Sequence, residues 1–312
     1  MPLNLSGKSI WIAGETGMVG RATLHALKDE DVKIISAPHS VLDLTDQRQT
    51  YDWLAQHKPD VIVMAAAKVG GIGANAAEPA AFLYDNLAMA QNVIHGAYQA
   101  GVEKLLYLGS SCIYPRDAAQ PIKEEALLTG TLETSNEGYA LAKIAGVKLC
   151  QHYRTQYDCD FISAMPCNLY GAHDYFDSEK SHVIPAMILK FQQAKDCNDK
   201  VVILWGTGNP LREFLYVDDL AQGLVHLLKN YSDSTPINIG SGQEISIYDL
   251  AHKVKKIVGF HGDIVFDETK PDGTPRKILD NARINALGWH TETPLDKGLQ
   301  QAYAYFENTR SQ

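Results

Sequence analysis

The chain has 312 residues, 45% of them hydrophobic and 21% charged, with a formal net charge of −9. That balance excludes a disordered, collagenous or coiled-coil chain, and the acidic surplus argues against a general binder of nucleic acid or anionic membrane. At roughly 100–200 residues per domain, the length predicts two domains or one large α/β unit with an appended lobe, with enough core to need no staples. The five cysteines, at 112, 150, 159, 167 and 197, are odd in number and include no close metal-type pair. They predict neither a disulfide framework nor a metal site, and they fit a reducing cytoplasm. Residues 1–8 have no basic stretch leading into a long apolar core, and no apolar run approaches the roughly 18 residues of a membrane span. A cytoplasmic location is expected.

In chain order, residues 9–13, 32–36, 61–66, 105–109 and 161–166 read as buried strands. Residues 20–28, 50–57, 81–100 and 139–157 read as the helices between them. Such alternation predicts an α/β fold, a Rossmann-type doubly wound parallel sheet that binds ligand where its strands end. After Pro166 the rhythm changes. Residues 168–181 read as loop, 185–194, 218–230 and 247–258 as helices, 201–205 and 236–239 as strands, and 270–277 as a polar loop. The expected division is a dinucleotide-binding domain over 1–168 and, over 169–312, a smaller substrate lobe. With no linker composition between them, the lobes are expected to interweave, the chain crossing back around 213–245.

The first strand runs directly into Gly14-Glu15-Thr16-Gly17-Met18-Val19-Gly20 and then a helix. Glycines there permit a tight reversal and let backbone N–H groups and the helix N-terminus approach a pyrophosphate. A glycine triplet alone is a weak signal, but strand before, helix after and N-terminal position make it a cofactor loop. The second strand ends Ser36-Ala37-Pro38-His39-Ser40, without the acid that binds the ribose hydroxyls of NAD. This favours NADP(H), with NAD(H) as the alternative; Asp43 and Leu44 stand where they would line the adenine.

Tyr139 and Lys143 lie four apart on a helical stretch, so both fall on one face. An ammonium beside a phenol is expected to lower its pKa from about 10, making it a usable acid or base. Upstream, Leu108-Gly109-Ser110-Ser111-Cys112 closes the fourth strand, where a serine hydroxyl can polarise a carbonyl. A free cysteine is otherwise most often a small buried hydrophobe, which is the expectation for Cys150, Cys159 and Cys197.

With these motifs the chain resembles the short-chain dehydrogenase/reductase superfamily in its extended, nucleotide-sugar-modifying branch. It is similar in particular to the epimerase/reductases acting on GDP-4-keto-6-deoxymannose. Carrying the resemblance are GETGMVG (14–20), AAAKVGG (65–71), LGSSCIYP (108–115), GYALAKIAG (138–146), PCNLYGAHD (166–174), SHVIP (181–185), WGTGNPLREFLYVDD (205–219) and KPDGTPRK (270–277). The resemblance implies that Cys112 and His182 exchange protons at carbons 3 and 5 of the sugar. It also implies that Tyr139, Ser110 and Lys143 serve hydride reduction at carbon 4. Ala65, Ala66, Leu108, Pro166, Asn168, Leu169 and His182 would join the glycine loop, Thr16, Met18, Val19, His39 and Lys143 around the cofactor. Lys190, Trp205, Arg212 and Asp272 would hold the GDP-linked 4-keto-deoxy sugar, Trp205 by stacking on guanine and Arg212 by a forked grip on diphosphate. A homodimer formed through a four-helix bundle of 81–100 and 139–157 is likewise implied.

Several positions depart from the family pattern. Glu15-Thr16 stand where a basic residue is common, and His39 stands in place of an arginine gripping the 2′-phosphate. Cys167 replaces threonine, Ala172 proline and Tyr175 asparagine, near the expected sugar site. The alternative activity is 4-keto reduction of another GDP-linked sugar, a dideoxy sugar or a 6-deoxyheptose, with or without epimerisation. A non-catalytic cofactor sensor would be free to lose the Tyr139/Lys143 pair, which is intact.

Overall fold

The computed structural model describes residues 3–177, 181–270 and 272–310. Residues 178–180 and Pro271, within two of the expected loops, lie outside this set. From the N-terminus come β1 (Ser9–Ala13), α1 (Met18–Ala26), β2 (Lys33–Ile35), α2 (Gln47–His57), β3 (Val61–Met64), α3 (Ile72–Ala77), α4 (Pro79–Ala100) and β4 (Lys104–Leu108). Then follow α5 (Glu137–Tyr157), β5 (Asp160–Pro166), β6 (Asn168–Tyr170), α6 (Val183–Asp196), β7 (Val201–Trp205), β8 (Leu211–Tyr216), α7 (Val217–Asn230) and β9 (Ile237–Ile239). The chain ends with β10 (Glu244–Ser246), α8 (Ile247–Val258), β11 (Asp263–Asp267), β12 (Arg276–Lys277), α9 (Ala282–Ala286) and α10 (Leu295–Arg310).

Six strands form one parallel sheet in the order β2-β1-β3-β4-β5-β9. Its central strands are buried on both faces, as a parallel sheet covered by helices demands. The order reverses between β1 and β3, and all strand C-termini share one edge, where such folds bind ligands. On one face α4 and α5 pack on each other; on the other, Ala22 of α1 meets Val217 and Ala221 of α7. Ala140, Ile144 and Val147 of α5 are buried within the chain, whereas Leu141 and, on α4, Tyr84 are exposed. No helix among the described residues is long and apolar enough to cross a membrane.

The second lobe has its own core, built on α6, β7, β8, α8 and α10, with Phe191, Leu204, Phe214, Leu250, Val254, Tyr303 and Phe306 inside. Here β8 is central: it pairs with β6 and β12 in parallel and with β10 antiparallel. Residues 201–205 do form a strand, but β7 pairs with β11 outside the main sheet. The chain weaves between the lobes, since β9 returns to extend the large sheet beside β5. Residues 168–170 and 276–277, expected as loop, are short strands because β8 offers them hydrogen-bonding edges.

Candidate active site

The glycine loop makes a cradle that side chains would fill. Gly14 has φ +91°, and a Cβ there would stand 2.7 Å from Ala66 N; one on Gly20 would stand 2.1 Å from the Gly14 oxygen. Gly17 caps α1 and donates its N–H to the Gly14 carbonyl at 3.1 Å. A Cβ at Gly17 would meet only that carbonyl, at 3.5 Å, so the outer face of the turn is open to a ligand. Thr16 is exposed there, with Met18 and Val19 half-buried in the first turn of the helix. The loop thus fits a pyrophosphate at a helix N-terminus.

The other residues implied for the cofactor are arranged around the same sheet edge. Ala65, which donates its N–H to the Ala13 carbonyl, and Ala66 follow β3. Leu44 is buried, Asp43 accepts two hydrogen bonds from Thr45, and His39 is exposed beyond β2. Leu108 and Pro166 end β4 and β5. Leu169 packs on the main core, and the Asn168 side chain donates to the Glu213 carbonyl at 2.9 Å.

At the end of β4 the structure brings Ser110, Cys112, Tyr139 and Lys143 together. Ser110 Oγ accepts the Cys112 N–H at 3.2 Å, and the same hydroxyl acts on the Tyr139 phenol, drawing its pKa down. Lys143 is 3% exposed; its Nζ donates to the Leu108 carbonyl at 2.8 Å and lies 5.8 Å from the Tyr139 ring centroid. Burial lowers the Lys143 pKa to about 7. The phenol does not follow the sequence expectation of a lowered pKa. Burial, reinforced by Cys112, raises Tyr139 well above 10, with only the Ser110 bond opposing. The lysine turns one of its N–H groups to the Leu108 carbonyl, and desolvation dominates the phenol.

Cys112 behaves oppositely. Burial pushes its thiol up, but the Lys277 ammonium and hydrogen bonds with Ser110, Lys277 and Asn136 together bring it below its ordinary value. Lys277 Nζ stands 3.5 Å from Cys112 Sγ. Its placement comes from β12, which sets Lys277 opposite Arg212 of β8. A buried carboxylate secures that geometry: Glu213, fully buried, accepts N–H bonds from Gly242 at 2.6 Å and Leu279 at 2.9 Å. Lys277 and Asn136 were not singled out by sequence reasoning. The motif containing Lys277 was visible, but its contact spans 165 residues.

His182 caps α6 at the start of the second lobe and is exposed, while the surrounding protein lowers its pKa by desolvation. Among the described residues it makes no hydrogen bond to the Ser110–Tyr139 cluster. Arg212 is closer to that cluster: its charge acts on Cys112, and its Nη1 donates to the Leu211 carbonyl at 2.9 Å. Strand alternation turns Val202 and Leu204 inward and Trp205 outward, leaving the indole 52% exposed. Lys190 Nζ and Lys270 Nζ lie 5.9 and 5.6 Å from its ring centroid, Lys270 being another residue that sequence reasoning passed over. Asp272 holds the neighbouring turn, accepting from Thr207 N at 2.7 Å and Thr207 Oγ1 at 2.8 Å.

A glycine cradle after the first strand and a Ser–Tyr–Lys cluster after the fourth define a nucleotide-binding epimerase/reductase of the extended short-chain type. The chain belongs to the NAD dependent epimerase/dehydratase family, whose sequence pattern matches residues 10–240. Within it, the chain is similar to GDP-L-fucose synthases. One from Sinorhizobium fredii is 56% identical, covering 98% of each chain. The solved GDP-L-fucose synthetase of Naegleria fowleri, bound to NADP, superposes with TM-score 0.92 at 30% identity, covering 99% of this chain and 97% of that one. A GDP-6-OMe-4-keto-L-xylo-heptose reductase from C. jejuni gives TM-score 0.92 at 33% identity, with 99% and 100% covered.

Proposed function

We propose that the protein is an NADP(H)-dependent epimerase/reductase that converts GDP-4-keto-6-deoxy-D-mannose to GDP-L-fucose. Its similarity to GDP-L-fucose synthases along nearly the whole chain supports this reading. The observation that carries the chemistry is the Lys277–Cys112 contact beside the Ser110–Tyr139 pair. In this reading Cys112 is the proton-abstracting thiol and Ser110 the carbonyl-polarising hydroxyl that epimerisation followed by reduction requires.

The 4-ketone acidifies the hydrogens on carbons 3 and 5. Cys112, drawn toward thiolate by Lys277, removes them. His182, open to solvent, exchanges protons with water and returns one to each of these carbons in turn from its own side of the sugar. Ser110 donates to the ketone oxygen and holds it as charge develops. When bound, NADPH supplies the hydride for carbon 4. Tyr139 stays protonated at neutral pH because burial raises its pKa, and it gives that proton to the oxygen as the carbonyl is reduced. Lys143 holds the nicotinamide ribose. Arg212 takes the diphosphate, and Trp205, between Lys190 and Lys270, stacks on guanine.

The enzyme works in the cytoplasm as a homodimer, in which the outward faces of α4 and α5, carrying Tyr84 and Leu141, meet a second copy. A subunit mass in solution corresponding to one chain would remove the dimer. The activity is tested by incubation with GDP-4-keto-6-deoxymannose and NADPH in deuterated water. Deuterium at carbons 3 and 5 of the reduced sugar is expected. Reduction without exchange would overturn the epimerase assignment and leave a simple 4-keto reductase.

A further inference from the structure

One acidic group stands in the cofactor loop itself. Glu15 follows Gly14, yet it is only 7% exposed, and its side chain turns toward the end of β2. There Oε1 accepts a hydrogen bond from Ser36 Oγ at 2.5 Å. Among the described residues, Oε2 takes no hydrogen bond and no lysine or arginine forms an ion pair with this carboxylate. Arg21, the nearest arginine along the chain, is exposed, and its Nε donates to the Thr16 carbonyl at 2.9 Å. The end of the second strand is where a Rossmann fold meets the adenosine ribose. A carboxylate there pairs with a free 2′-hydroxyl, whereas a 2′-phosphate calls for a cation. In this chain no acid stands on β2 itself, but the glycine loop delivers one to the same place.

We infer that Glu15 sets cofactor selectivity at the adenosine ribose, accepting the 2′-hydroxyl of NADH on its unpartnered oxygen, so that the protein takes NADH alongside NADPH. Desolvation is the physical driver. A nearly buried carboxylate with one neutral donor gains from a second donor. A phosphate of nearly two negative charges brought against it is repelled, and the low local dielectric amplifies that repulsion. Ser36 fixes the direction of the carboxylate and leaves Oε2 for the ligand. Exposed Thr16, beside it in the loop, adds no charge.

This inference rests on the dinucleotide-dependent reading above and goes further, to the nucleotide that satisfies it. The test is direct binding without sugar, by calorimetric titration of the full chain with NAD⁺ and NADP⁺. The wild type is expected to favour NADP⁺ by less than about tenfold, and a larger preference overturns the inference. Glu15→Gln, which keeps the Ser36 contact and removes the charge, is expected to move the ratio of dissociation constants toward NADP⁺ by at least about fivefold. A smaller shift overturns it. Glu15→Asp, which keeps the charge, should stay nearer the wild-type ratio than Glu15→Gln, and the opposite order overturns it too. The wild-type ratio needs no variant to fold. A wild type that binds neither dinucleotide removes the reading as a dinucleotide enzyme, whereas a ratio indifferent to Glu15 removes only this inference.

Discussion

The two walls of the candidate site differ in how finished they are. On the large-sheet side, the Cys112 N–H is tied to Ser110 and the Lys143 ammonium to the Leu108 carbonyl, and the proton affinities of Tyr139, Lys143 and Cys112 are displaced by burial and, at Cys112, by Lys277. On the second-lobe side, Trp205 is half open to water, and the ammonium groups of Lys190 and Lys270 approach its ring. Chemistry needs groups held before the substrate arrives, because reorganisation would otherwise add to the barrier. Recognition of a nucleotide can be completed by the ligand, which supplies the aromatic face and the negative charge. The first wall is preorganised; the second is a platform.

That contrast can be broken by experiment, and the largest effect belongs to the finished wall. Tyr139→Phe should slow reduction by about 10²–10⁴-fold, read as single-turnover NADPH oxidation, while deuterium exchange at carbons 3 and 5 continues. Equal loss of exchange would mean that the tyrosine organises the whole site. Cys112→Ser should lower exchange by about 10²–10³-fold yet still reduce a sugar supplied with both centres already inverted. Lys277→Met removes the charge that favours the thiolate, so the Cys112 pKa must rise. Its alkylation by iodoacetamide at pH 7 should slow by about tenfold, with the pH midpoint displaced upward. An unmoved midpoint would show that the ammonium does not act on the sulfur. The platform should give the smallest change. Trp205→Ala should raise KM for the sugar nucleotide about five- to tenfold with kcat nearly kept. A large loss in kcat would show that this wall, too, takes part in positioning the reacting carbons.

Much of the large-sheet side is legible in the sequence. The strand at 9–13, the glycine triplet and the paired Tyr139 and Lys143 are local patterns, each set within one turn or one element. Their periodicity reflects burial on both faces, which the chain encodes residue by residue. The second lobe is harder to read. Residues 201–205 show the β7 alternation but not its partner, since β11 lies about sixty residues on and pairs apart from the main sheet. Helix α10, over 295–310, buries Leu299, Ala302, Tyr303 and Phe306 at helical spacing, yet the sequence reading passed over it among polar neighbours. The phenol's pKa also moves opposite to the direction that its spacing from Lys143 predicts, because spacing reveals which groups are close and not how much water they have lost.

The sequence alone determined the class of the fold, and it pointed to the glycine loop and to the hydroxyl, phenol, amine and thiol of the candidate site, because those are properties of short segments. The tertiary structure decided what each group faces. It set Lys143 against the Leu108 carbonyl, brought Lys277 to Cys112, turned Trp205 outward and carried Glu15 to the end of β2. These are contacts between distant segments or consequences of burial, and charge and proton affinity depend on both. Only the packed chain fixes them.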